Sequence, residues 1–175
     1  ERTAIHTIIP PSGAGDTCPI ITLEKQAEYV CCFLSNANSF ILDYVSRFKV
    51  GGIHLDFFVA KQLTCFEPDY YNKGLPWDQK SIKDWICPRV IELVYTSYDI
   101  SEFAEQCRYN NEPFVWDETR RFMIQCELDA AYFHFYGIHG NDVSHIMDSF
   151  TLIKNSEENE YGEYKTKRVI LEIYD

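Results

Sequence analysis

The sequence predicts an α+β fold, a small mixed sheet with helices followed by a helical C-terminal half. Three observations carry that expectation. Residues 3–9 and 17–21 are rich in β-branched and apolar side chains and are separated by a Pro/Gly-punctuated loop, the pattern of paired strands. Apolar residues then recur at helical spacing from about residue 22 to 48, and again over most of residues 78–175. Between these regions, Asp69–Trp77 holds two Tyr, Asn, Gly and Pro and reads as a linker. The expected division is therefore 1–70, an α+β half, and 71–175, a helical half.

Taken in order, Pro10-Pro11-Ser12-Gly13-Ala14-Gly15-Asp16 forms the first loop. Its Gly-Ala-Gly lacks the third glycine and the following helix of a dinucleotide site. Thr22 caps a helix carrying Ala27, Val30, Cys31 and Leu34, and Ser39 caps a second carrying Phe40, Ile41, Tyr44, Val45 and Phe48. Arg47 and Lys49 place two positive charges at the end of that helix. Gly51-Gly52 follows, a pair tolerant of unusual backbone angles. A short apolar run, His54 to Val59, leads to a β-like segment, Leu63 to Phe66, stopped by Pro68.

Downstream, Pro88 suits the first turn of a helix reaching about Tyr98, and Asp99 or Ser101 caps a short helix with Phe103 and Ala104. After the connector Pro113–Trp116, Asp117 and Glu118 open the longest helix. Its stripe is Ile124, Leu128, Ala131 and Phe135, and Gly137 ends it. Asn141 caps a further helix with Val143, Ile146 and Met147. An acidic loop, 155–160, precedes a last helix from about Glu163 to Tyr174 with Val169, Ile170 and Ile173 on one side.

Bulk properties bound the function. With 46% hydrophobic and 15% aromatic residues, 175 residues supply a substantial core. No apolar run approaches the roughly twenty residues of a membrane span, and no signal peptide is visible, so the cytoplasm is the expected compartment. The start at Glu1-Arg2-Thr3 suggests a piece of a longer chain. Seven Cys without paired spacing point to neither a disulfide framework nor a metal site. A formal charge of −11 opposes nucleic-acid binding, yet residues 1–66 hold five Lys/Arg against six Asp/Glu, so the acid excess lies downstream.

The run Arg47-x-Lys49-x-Gly51-Gly52-x-His54, with Lys61 beyond it, combines cations with small residues that admit a close neighbour. Either a tight turn or an approach to a phosphate backbone fits that pattern, and His54 suits either loop capping or a nucleic-acid contact. His134, between Phe133 and Phe135, reads as a packing residue. Lys165, Lys167 and Arg168 read as a solvated helix face, and Glu163-Tyr164-Lys165 as surface charge rather than a nuclease site.

The order Asn-Ser, apolar helix, Arg-x-Lys, Gly-Gly, His, Phe-Phe, Lys-Gln-Leu, Pro in residues 38–68 resembles the target-recognition region of bacterial restriction-modification methyltransferases. The nearest likeness is to the large single-chain kind that methylates the adenine amino group. The specificity subunits of type I restriction systems are a looser one. The blocks Glu1–Ile5, Pro88–Leu93, Glu127–Ala130 and Tyr161–Arg168 extend the resemblance over nearly the whole chain. It implies the C-terminal, DNA-recognition portion of such an enzyme, with double-stranded DNA and the remainder of the parent chain as partners. Arg47, Lys49, Gly51, Gly52, His54 and Lys61 would face DNA. S-adenosylmethionine and catalysis would belong to the parent, with or without an endonuclease. The Asn-Pro-Pro-aromatic loop of that chemistry is absent here, since Pro10-Pro11 follows Ile9 and precedes Ser12. The alternative is a docking module of the same parent that touches no DNA.

Overall fold

The computed structural model describes residues 2–15, 18–51 and 55–175. Of these, 58% are helical, and the only β pairing among them is one antiparallel bridge between Gly74 and Ser81. The expected α+β fold is thus corrected to a mostly helical one, with no sheet among the described residues. Residues 3–9, 18–21 and 63–66 are irregular. A strand exists only through a ladder that satisfies its backbone groups, and these segments find none. The backbone N–H of Thr3 goes to Asp43, the Thr64 carbonyl accepts from the Tyr136 hydroxyl, and Ile5 and Ile9 lie exposed.

The α-helices are α1 (Ala27–Ala37), α2 (Phe40–Arg47), α3 (Phe57–Ala60), α4 (Ile82–Val94), α5 (Ser101–Gln106), α6 (Glu118–Phe135), α7 (Gly140–Asp148), α8 (Thr151–Tyr161) and α9 (Lys165–Tyr174). Short 3-10 turns occupy Pro68–Asn72 and Tyr98–Ile100. No helix among the described residues is long and apolar enough to cross a membrane.

Three helices differ instructively from their expected bounds. α1 starts at Ala27, not Thr22. α4 starts at Ile82 behind the cap Ser81, whose hydroxyl accepts from the Asp84 N–H at 3.2 Å, so Pro88 sits inside the helix. A proline there costs about 3 kcal/mol. Burial of Trp85, Ile86, Val90 and Ile91 outweighs it, at roughly 1.5–3 kcal/mol per large apolar side chain. The acidic stretch 155–160 lies within α8. Glu is a good helix former, the Glu157 carboxylate accepts from the N–H of Thr166 at 2.8 Å and from its hydroxyl, and Gly162 at φ +77° ends the helix.

The chain forms two compact units, neither continuous in sequence. The first comprises Glu1–Ile5, Asn36–Cys65 and Glu118–Asp175. In it α9 packs on α6, α7 and α8, while α2 packs on α6 and α7. Its core holds Ile124, Tyr132, Phe133, Val143, Met147, Phe150 and Ile170, all fully buried. The second comprises His6–Ser35 and Phe66–Asp117 and contains the Asp69–Trp77 segment. There α4 packs on the 3-10 turn at Pro68–Asn72, and Cys31, Ile86, Val90, Ile91 and Ala104 form the interior.

Candidate nucleic-acid interface

The stretch with the clearest chemical signature follows α2 in the first unit. α2 begins as its sequence indicates: the Ser39 hydroxyl accepts from Leu42 N–H at 3.3 Å, and the Phe40 N–H donates to Asp129 Oδ1 at 2.7 Å. Asp43, one turn on, is almost wholly buried. Its two oxygens accept from Arg2 Nε (2.7 Å), Thr3 N–H (2.9 Å), Thr3 Oγ1 (2.9 Å) and Arg47 Nε (3.0 Å). Arg2 also donates to the Asn38 carbonyl and lies 4.4 Å over the Phe40 ring. The opening Arg-Thr and the Asp of the 127–130 block thus converge on α2. Burial pushes the Asp129 carboxyl up to about 7, even though the Arg2 charge and the Phe40 N–H pull it down.

Arg47, placed at the DNA surface by its sequence neighbours, is a member of this network. Its guanidinium pairs with Asp43, lies 3.8 Å over the Phe150 ring and donates to the Ser149 carbonyl at 3.4 Å. Charge assistance and ring stacking together hold it against its own helix bundle. Lys49 is exposed two residues on, where its N–H and that of Val50 bond the Ser46 carbonyl at 2.9 and 3.0 Å and close α2. Gly51 is exposed, has nothing within 4 Å of an added Cβ, and does not take a positive φ. Its lack of a side chain leaves the surface open there, whereas Gly137 and Gly162 do take left-handed angles. Gly52 and His54 lie outside the described residues.

The chain returns through α3, where Lys61 is exposed with its Nζ 4.4 Å over the Phe57 ring. The stretch is re-anchored by Tyr136, whose hydroxyl lies 2.9 Å from the Thr64 carbonyl and 3.0 Å from Asn36 Oδ1. Between the Arg47 and Tyr136 anchors, three phenylalanines stand in solvent: Phe48 at 75% exposure, Phe57 at 61% and Phe58 at 76%. Tyr44 packs edge-on against Phe48 at 5.0 Å. Sequence reading placed Phe48 at helical spacing with Phe40, Ile41, Tyr44 and Val45; α2 ends at Arg47, and Phe48 is the residue that caps it.

The other basic cluster is internally paired. Lys167 and Lys154 share Asp148 at 2.6 and 3.2 Å, holding that carboxyl below its usual range, and Arg168 bridges Glu163 and Glu172. Lys165 lies 4.7 Å over the Phe122 ring, and Tyr164 is buried with its hydroxyl donating to the Met147 carbonyl. His134 stacks on Tyr174 at 4.0 Å, with Nε2 3.0 Å from the Tyr174 carbonyl. In the second unit the sulfurs of Cys31, Cys87 and Cys107 come together. Sequence spacing concealed this trio, because its members lie far apart in the chain.

Comparisons with known protein families, characterised proteins and solved structures yield no match to this chain.

Proposed function

We propose that the chain is the DNA-sequence-recognition portion of a restriction-modification adenine methyltransferase, and that residues 48–61 face duplex DNA. The observation that carries this reading is the doubly anchored stretch exposing Phe48, Phe57 and Phe58 beside Lys49 and Lys61. Lysines supply phosphate contacts, and apolar rings supply wedges or stacking surfaces against bases. The resemblance in residue order over 38–68 adds the enzyme class. S-adenosylmethionine and the methyl-transfer residues then belong to the rest of the parent chain. That remainder also shares the DNA contact, because a charge of −11 opposes association by this portion alone.

The test uses the full-length parent enzyme. Lys49→Ala with Lys61→Ala should weaken binding alike on all duplex sequences and reduce the slope of log affinity against log salt by about 1.8, at about 0.9 per phosphate contact. Phe57→Ala with Phe58→Ala should weaken binding with the slope retained. An unchanged slope and affinity in the lysine pair would count against the reading.

The docking reading draws on one specific observation, the engagement of Arg47 by Asp43, Phe150 and Ser149. In that case the exposed phenylalanines cover a surface of the parent enzyme. Truncating them would then weaken reassembly of the parent from two co-expressed halves, while the lysine pair would have no effect on DNA affinity.

A further inference from the structure

Cys31 lies on α1, Cys87 on α4, and Cys107 is the residue that closes α5. The Cys31 sulfur is 3.6 Å from that of Cys107 and 3.7 Å from that of Cys87, and all three lie within 4.8 Å of one another. A tetrahedral ion with bonds of about 2.3 Å to sulfur sets its ligands roughly 3.8 Å apart. The trio therefore has the dimensions of one face of such a coordination sphere.

Each sulfur is carried by a backbone fixed independently of the other two. Cys31 and Cys87 sit within regular helix. Cys107 is held by a closed turn in which Arg108 N–H bonds the Glu105 carbonyl at 2.8 Å and Tyr109 N–H bonds the Ala104 carbonyl at 2.9 Å. Arg108 takes φ +64° there, a left-handed value that a non-glycine residue adopts at a cost of roughly 1 kcal/mol or more. Cys31 and Cys87 are buried and Cys107 is partly exposed, so solvent reaches the trio from the Cys107 side. A set of three soft sulfurs selects thiophilic ions over magnesium or calcium.

We propose that Cys31, Cys87 and Cys107 form a three-thiolate Zn²⁺ site, with the fourth position open on the Cys107 side. Binding displaces the thiol protons, and the ion ties α1, α4 and the end of α5 together. The proposal is independent of the DNA reading.

The experiment titrates the reduced chain with Co²⁺ and then Zn²⁺ under anaerobic conditions. Cys18→Ser and Cys65→Ser are introduced first to remove the exposed thiols. Saturation at one equivalent is expected, with thiolate-to-cobalt charge-transfer absorption that Zn²⁺ abolishes. Adding Cys107→Ser, at the partly exposed position, should remove that saturation while circular dichroism stays native. Three results would overturn the site: no saturable absorption in the folded chain, unchanged binding after Cys107→Ser, or a disulfide within the trio in protein isolated without air.

Discussion

Asp43 and Asp129 are both buried beside α2, and their surroundings give them opposite characters. Asp43 receives four donors, two of them from guanidinium groups. Asp43→Ala would strand Arg2 and Arg47 and should cost roughly 3–5 kcal/mol in chemical denaturation, the cost of breaking a buried pair from one side. Asp129 is dominated by desolvation, and its folded carboxyl sits at about 7 against 3.8 in the reference state. The folded form therefore holds a proton that the unfolded form has lost between those values. The Asp129 contribution to stability is largest below about 4 and declines as pH rises towards 7. Asp129→Asn keeps an acceptor for the Phe40 N–H and removes the titration. Its stability relative to the parent sequence should climb between pH 4 and 7 and level off above, as read from unfolding midpoints. A flat difference would mean that Asp129 stays ionised throughout.

At the level of elements, some local signals were read correctly and others were not: the Ser81 cap of α4 was passed over for Pro88, and Thr22 opens no helix. Ser39 before Phe40 and Gly137 after Phe135 act where the sequence puts them, because a cap works through its own few neighbours. Gly137 at φ +67° leaves space around an added Cβ, so Gly137→Ala should lose about 1 kcal/mol through backbone strain alone, measurable as a lowered melting temperature. The misjudged elements are those where packing overrode a local cue. Pro88 is carried within α4 by the buried faces of Trp85, Ile86, Val90 and Ile91, and the acidic run 155–160 is helical because Glu157 reaches forward to Thr166. Residues 3–9 are the converse case: β-branched composition provided propensity, and no neighbouring backbone provided a ladder.

For the whole molecule, the absence of an Asn-Pro-Pro-aromatic loop leads to the expectation that the purified chain neither methylates DNA nor binds S-adenosylmethionine. Stoichiometric, saturable heat on titrating the cofactor would contradict it. The charge of −11, the helical periodicity downstream of residue 78 and the identities of the exposed lysines were determined by the sequence alone, since each depends on residue type or short spacing. Tertiary structure decided the rest. It returned the chain so that residues 36–65 and 118–175 share one unit, seated the Arg47 guanidinium over the Phe150 ring, and left Phe48 in solvent. It also gathered Cys31, Cys87 and Cys107 from three elements into one cluster. The physical reason is separation along the chain: propensity and capping act over a few residues, whereas a buried ion pair or a set of converging sulfurs exists only once distant segments have packed.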